Sequence, residues 1–216
     1  MDMKKMMQTG EGIEQIMKNL LDLDSEFRFK CRRCGKCCIH QDTIMFNTRD
    51  IYNIAKKQGK TMRDVIESYT EVYIGRDSRI PIVHLLPNGP KDTCPLLVNG
   101  RCSVHDCKPT VCALYPLGRV IVNKESGEPV DGDAELQVKY IINDYSCGSA
   151  ARVNTVRSWL ARFGIAEHDE FFILWNRVII RLGLAIRELE SKSFLERIMH
   201  LLWDIIFSTL YTEFDT

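Results

Sequence analysis

Apolar residues near the start of the chain recur at helical spacing. Ile13, Ile16, Met17, Leu20 and Leu23 form one stripe between Gly12 and Leu23, which predicts a helix. Thr43 to Phe46 is short and apolar enough for a strand. Thr48 can then cap a helix from Arg49 to about Gln58, with Gly59 as its stop. Thr61 followed by Asp64 predicts another helix start, continued through Val65, Ile66 and Tyr69. From Ile80 the pattern turns to strand and turn, punctuated by Pro81, Pro87, Gly89 and Pro90. Ile80 to Leu86 reads as a strand, and Leu96–Val98, Asn99-Gly100 and Cys102–Val104 read as a tight hairpin. Asn-Gly supplies the positive φ angles that a two-residue turn requires. Leu117 to Val122 predicts a further strand, and Lys124 to Pro129 a loop. From Asp133 to Tyr145, Ala134, Leu136, Val138 and Tyr140 alternate with Glu135, Gln137 and Lys139, the period of a half-buried strand.

The last third reads as helical. Ser149 to Phe163 is expected to form one helix ended by Gly164. Phe172, Trp175, Ile179, Leu182, Ile186 and Leu189 follow at spacings of three and four, with Arg177, Arg181 and Glu188 off that seam. Leu195, Ile198, Leu202 and Ile205 repeat the pattern. Two such amphipathic helices should pack on each other as a hairpin and on the rest of the chain. The stripes are read first as core, and second as a face for a homo-oligomer or another partner. The fold class expected is α+β: a small cysteine-rich, metal-centred β/turn core with flanking helices and a C-terminal helical hairpin. The corresponding division is 1–148 for the cysteine-bearing domain and 149–216 for a helical extension packed on it. No internal repeat or low-complexity segment interrupts this picture.

Composition narrows the function classes. The 216 residues are 45% hydrophobic and 27% charged, a globular balance. Lys+Arg and Asp+Glu stand at 29 each, so charge gives no argument for nucleic acid or an anionic membrane as partner. Met1 to Met7 holds lysines but no continuous apolar run, and no signal peptide is expected. Phe171–Ile186 and Leu195–Leu210 are broken by Arg177, Arg181, His200 and Asp204, short of the apolar length a spanning helix needs. Nine cysteines without a secretory signal favour a reducing, cytoplasmic setting and metal ligation over a disulfide framework.

The cysteines carry the chemistry. Cys31, Cys34, Cys37 and Cys38 fall within F-K-C-R-R-C-G-K-C-C, and two-residue gaps let a short turn aim successive sulfurs at one centre. Gly35 relaxes the backbone in that turn. Adjacent cysteines such as Cys37 and Cys38 suit ligands pointing to opposite sides, so the stretch needs partners elsewhere. A second group supplies them: Cys94, Cys102, Cys107 and Cys112, with the Asn99-Gly100 hairpin bringing Cys94 and Cys102 near each other and Lys108-Pro109 turning the chain before Cys112.

The combination C-x-x-C-G-x-C-C at Cys31–Cys38, C-P-x-L…G-x-C-S-V at Cys94–Val104 and K-P-x-x-C-x-L-Y-P at Lys108–Pro116 resembles the YkgJ-type cysteine-cluster family. That family is described as a zinc- or iron-chelating domain, its members are often labelled Fe–S oxidoreductases, and flagellin lysine N-methylases carry a similar cluster. The resemblance runs from about Phe27 to Gly148, since a late Cys-Gly like Cys147-Gly148 also occurs in such proteins. It implies metal ligands at Cys31, Cys34, Cys37, Cys38, Cys94, Cys102, Cys112 and Cys147, with Cys107 at a variable position. The family has Tyr and Arg where this chain has His105 and Lys108, so a point charge replaces a planar fork at the second.

Common metal templates fail. A bacterial ferredoxin run would put its fourth cysteine at position 41, which is Gln41, and no C-x3-C-x2-C radical-initiating pattern or repeated finger-type pair is present. Eight cysteines suffice for two four-thiolate sites, or for one cluster with spare redox thiols. Arg32, Arg33 and Lys36 lie among the thiols, where positive charge lowers thiolate pKa. His40 and His105 lie near cysteines and read first as surface or hydrogen-bonded histidines. No phosphate-cradling loop, nucleophile elbow or methyl-donor signature appears. The expected function is an iron–sulfur protein, with a [4Fe–4S] cluster, acting in electron transfer or redox chemistry with an unknown redox or protein partner. The alternative is a zinc-stabilised interaction module. A four-thiolate zinc site contributes on the order of 10–16 kcal/mol in small peptides, against about 5–15 kcal/mol for the net stability of a typical domain, so metal and folding should be linked.

Overall fold

Three helix starts are fixed by side chains that close on the backbone. Asn47 opens Thr48–Gln58 by accepting from the Asp50 N–H at 2.9 Å, while the Asp50 carboxylate accepts from the Asn47 N–H. Thr61 and Asp64 do the same for Met62–Tyr69, and Thr155 and Ser158 for Val156–Arg162. Each pairing satisfies amides that the helix itself leaves without acceptors. The first cap is Asn47 rather than the expected Thr48, which is the helix's first residue. Gly59 ends that helix at φ +63, as its position predicts.

The computed structural model describes residues 10–40, 44–127, 135–145, 147–192 and 196–212. Among these the fold is mixed α+β, with seven α-helices and small antiparallel sheets. In chain order they are α1 (Gly10–Lys18), β1 (Glu26–Lys30), β2 (Met45–Phe46), α2 (Thr48–Gln58), α3 (Met62–Tyr69), β3 (Thr70–Ile74), β4 (Pro81–Leu85), β5 (Leu97–Val98) and β6 (Arg101–Cys102). Then follow α4 (Thr110–Leu114), β7 (Leu117–Asn123), β8 (Leu136–Ile142), β9 (Ser149–Thr155), α5 (Val156–Arg162), α6 (Glu170–Ser191) and α7 (Glu196–Tyr211). Asp133, Ala134 and Thr43 of the expected strands, and Leu195 of the expected seam, lie outside the described residues. No helix of the described residues is long and apolar enough to cross a membrane.

The chain divides into two interleaved units: Met1–Cys34 with Ala113–Asn176, and Gly35–Cys112 with Arg177–Thr216. In the first, β1 pairs antiparallel with β9 and β7 with β8. Phe29 is buried between Trp159, Tyr115 and Tyr145, with ring centroids 5.6, 5.9 and 5.1 Å away in edge-on contacts. The Trp159 indole N–H donates to the Leu114 carbonyl at 2.9 Å, so the ring buries its apolar area without orphaning its donor. Here the sequence expectation is corrected. Ser149–Phe163 is not one helix, because Ser149–Thr155 is a strand and only Val156–Arg162 is helical. Helix-compatible Ala150 and Ala151 yield to pairing with β1.

In the second unit β2, β4 and β3 form an antiparallel sheet, with Ile51, Ile54, Val65, Val83 and Leu85 buried around it. Ile80, Ile186 and Met199 form a further core, joined by Ile179, Leu182, Leu189, Leu202, Trp203 and Ile206. The seam of α7 is therefore rotated from the expected one. Met199, Leu202 and Ile206 face the core, while Ile198, Leu201 and Ile205 are exposed, Leu201 by 59%. The turn before β4 is tied to the last helices as well: Arg79 forms an ion pair with Glu190, and the Trp203 indole N–H donates to the Arg79 carbonyl at 3.0 Å.

Candidate metal centre

Three local structures in the second unit carry thiols toward one another. The first is a 3-10 turn, Lys36–Cys38, entered through Gly35 at φ +71. A side chain at Gly35 would meet the Gly100 carbonyl oxygen at 3.2 Å and the Leu97 side chain at 3.3 Å, so the turn lies directly on the β5–β6 hairpin. The second is that hairpin, pairing Leu97 with Cys102 and Val98 with Arg101 around Asn99-Gly100, whose φ angles are +50 and +73. The predicted two-residue turn is present. The Ser103 hydroxyl donates to the Leu96 carbonyl at 2.9 Å and closes the hairpin's open end. The Cys94 N–H donates to the Cys38 carbonyl at 2.8 Å, joining hairpin and turn. The third is α4, whose third residue is Cys112.

The result is a group of five thiols: Cys37, Cys38, Cys94, Cys102 and Cys112. Cys37 acts on all four others. The Cys38 thiol is pushed far up, first by its hydrogen bond to Cys37, then by burial and the charges of Cys37, Cys94 and Cys102. Burial is the main cause for Cys112, whose thiol is pushed well above the usual range with Cys94, Cys102 and Cys37 adding to it. Cys94 and Cys102 are raised for the same reasons, again burial first. Opposing this, the backbone N–H groups of Leu96 and Leu97 near Cys94, and of Val104 near Cys102, favour the thiolates. Lys108 adds a positive charge that favours the thiolates of Cys102 and Cys112. Lys108, from the K-P-x-x-C segment, is thus a cation that acts on Cys102 and Cys112. Arg32, Arg33 and Lys36, the basic residues singled out on the sequence, are exposed.

The other expected ligands are in the first unit. Cys31 follows β1 and is half-buried, and its sulfur accepts from the Arg33 N–H at 3.4 Å. Cys34 is exposed. Cys147 is buried just before β9, and its thiol donates to the Tyr115 hydroxyl oxygen at 3.7 Å. Because Lys30 pairs with Ser149, Cys31 and Cys147 flank the same end of the β1–β9 ribbon. No disulfide joins any of the nine cysteines, all of which are described residues. His40 is exposed beside Asp92, and half-buried His105 neighbours Asp106.

Residues 30–147 match the CxxCxxCC family, described as "Putative zinc- or iron-chelating domain". The chain belongs to that family. No curated protein and no solved structure gives a significant match. The donor chemistry of this CxxCxxCC protein fits the description. The five-thiol group is all sulfur, the donor set that selects zinc or iron–sulfur clusters over hard cations. Among the described residues no three His, Cys, Asp or Glu side chains stand at the spacing of a single bound ion. The thiols act on one another's protonation, and burial with mutual repulsion keeps them protonated. A bound cation reverses that balance, since a coordinating thiol is deprotonated outright.

Two positions that sequence reasoning passed over support the group. Lys108 reads in the sequence as part of a chain turn and as a departure from the family pattern, not as a charge acting on the thiols. Asp50, buried with 2% exposure, holds the first residue of α4: the Thr110 N–H and hydroxyl donate to its Oδ1 at 2.8 and 2.7 Å. Its one sequence signal was its place three residues after a helix cap.

Proposed function

We propose that the five-thiol group binds an iron–sulfur cluster used in electron transfer or redox chemistry. The observation that carries this reading is the convergence of thiols from three separate segments, each half-buried, with backbone N–H groups near two of them that favour the thiolates. Backbone N–H groups facing sulfur stabilise the thiolate and tune the potential of an iron–sulfur centre, and partial exposure leaves a path for electrons to a partner protein. When bound, such a cluster supplies one-electron chemistry. The chain's own residues supply soft ligands, a compensating charge at Lys108 and a partly dry surrounding.

The same N–H groups near Cys94 and Cys102 also suit a closed four-thiolate zinc site, which is the second reading: a zinc-stabilised interaction module. In that reading the exposed stripe Ile198, Leu201 and Ile205 of α7 meets a second copy of the chain. Arg197 and Asp204 bracket Leu201, so antiparallel pairing of two copies sets unlike charges opposite each other. Sedimentation of the wild type and of Leu201→Glu over a concentration series tests this. A wild type that stays monomeric at every concentration removes the second copy from the reading.

Anaerobic purification with iron, zinc and sulfide analysis and visible spectroscopy separates the two readings. Brown protein with matched iron and acid-labile sulfide supports the first. Colourless protein with stoichiometric zinc and no sulfide overturns it.

A further inference from the structure

We infer that Asp50 is a positioning residue for the thiol group, setting Cys112 by holding the start of α4 from the start of α2. This deepens the metal-binding reading and rests on it. A helix as short as Thr110–Leu114 does not hold itself in place, since nucleation leaves its first amides without acceptors. Thr110 has Pro109 before it, whose side chain carries no oxygen that could accept from the first amides of α4. The acceptor comes from elsewhere in the chain. Asp50 Oδ1 takes both the N–H and the hydroxyl of Thr110, and its Oδ2 takes the Asn47 N–H at 3.5 Å. One buried carboxylate thus serves the first turns of two helices, and Cys112 lies two residues beyond Thr110. Burying a carboxylate is costly unless its oxygens are fully used, and here the donors are those that fix a thiol-bearing segment. An ordinary helix cap needs none of this: Asp64, in the equivalent place on α3, is exposed and serves only its own helix.

The test uses full-length protein purified anaerobically. Asp50→Ala, Asp50→Asn, Thr110→Val and Thr110→Ser are compared with the wild type and with Thr61→Ala, which removes a cap of the same kind from α3. Bound metal is measured, Cys112 is quantified by alkylation and peptide mass mapping, and thermal midpoints are recorded. Asp50→Ala should raise Cys112 alkylation roughly tenfold, the opening expected when one cap acceptor is lost, and should deplete metal. Asp50→Asn and Thr110→Ser, which keep an acceptor or both donors, should restore most of the wild-type behaviour. Thr110→Val should fall between. Thr61→Ala should lower the midpoint without changing Cys112 alkylation. Unchanged Cys112 alkylation in Asp50→Ala, or an equal rise in Thr61→Ala, overturns the positioning role. If the wild type holds no metal but Asp50→Ala still exposes Cys112, the metal reading fails and the positioning role stands.

Discussion

The two units use cysteine in opposite ways. In the unit built from Gly35–Cys112 and Arg177–Thr216, the five thiols come from a 3-10 turn and a hairpin joined by the Cys94–Cys38 backbone hydrogen bond, and from a short helix held to the start of α2 by Asp50. In the unit built from Met1–Cys34 and Ala113–Asn176, Cys31 and Cys147 sit at the end of a β-ribbon whose interior is aromatic. In the first arrangement the sulfurs repel one another as thiolates. The second packs Phe29 against Trp159, Tyr115 and Tyr145. On the proposed reading, dependence on metal should differ between the two units. The four-cysteine run itself is divided between the units at Gly35, so a single motif serves two different environments.

The largest effect should come from removing the metal or one central ligand. A chelator, or Cys112→Ser, should release metal and cost the second unit an amount comparable to the whole net stability of a domain, about 5–15 kcal/mol. Cys31→Ser and Cys147→Ser should lose less metal, because the aromatic core beside them persists. Metal content and near-ultraviolet circular dichroism of the soluble fraction check both. Equal loss from Cys147→Ser and Cys112→Ser would break the contrast and make the ligand set common to both units.

A change confined to the first unit sharpens the contrast from the other side. Arg119 and Asp169 form an ion pair at 2.8 Å with side chains only 5% and 6% exposed, and the guanidinium lies 3.6 Å from the centre of the Phe172 ring. Asp169 also accepts from the Phe172 N–H at 3.2 Å, fixing the first turn of α6. Arg119→Ala leaves a buried carboxylate without its cation and should cost about 3–5 kcal/mol in denaturant unfolding. Metal content per folded chain should remain at the wild-type value.

The two kinds of structure were also unequally legible in the sequence. Elements specified by near neighbours were readable: the Asn99-Gly100 hairpin, the Thr61–Asp64 start and the Gly59 stop each follow from a few adjacent residues. Elements specified at long range were not. Ser149–Thr155 is a strand because Glu26–Lys30 pairs with it, and no local pattern announces that partner. The α7 seam was off by one position because Ile198 and Ile205 are as apolar as Met199 and Ile206, and only packing chooses between them. For the site, cysteine spacing identified the thiols, while the Asp50–Thr110 link spans sixty residues and left no motif.

Gly35→Ala tests the joint between turn and hairpin. At φ +71 an added Cβ costs about 1–2 kcal/mol, and the Gly100 carbonyl at 3.2 Å must also yield. The expected result is a modest fall in thermal midpoint with faster metal release to a chelator. A lower midpoint with unchanged release would mean that the turn can shift without carrying Cys37 and Cys38 away from the group.

Cys107→Ser should have the smallest effect, and it marks the edge of the group. Cys107 lies in the same unit, and its thiol is raised first by burial and then by the charge of Asp106, with the charge of Cys102 a lesser cause. Its immediate neighbours are Asp106 and Lys57, which form an ion pair on the surface. That pair holds the Asp106 carboxyl below the usual carboxylate range. Replacing sulfur by oxygen there removes little buried apolar area, so stability should stay within about 0.5 kcal/mol and metal content should not change. Loss of metal on this substitution alone would show that the convergence is centred on Cys102 and Cys107 rather than on Cys37, and would move the proposed ligand set toward α2.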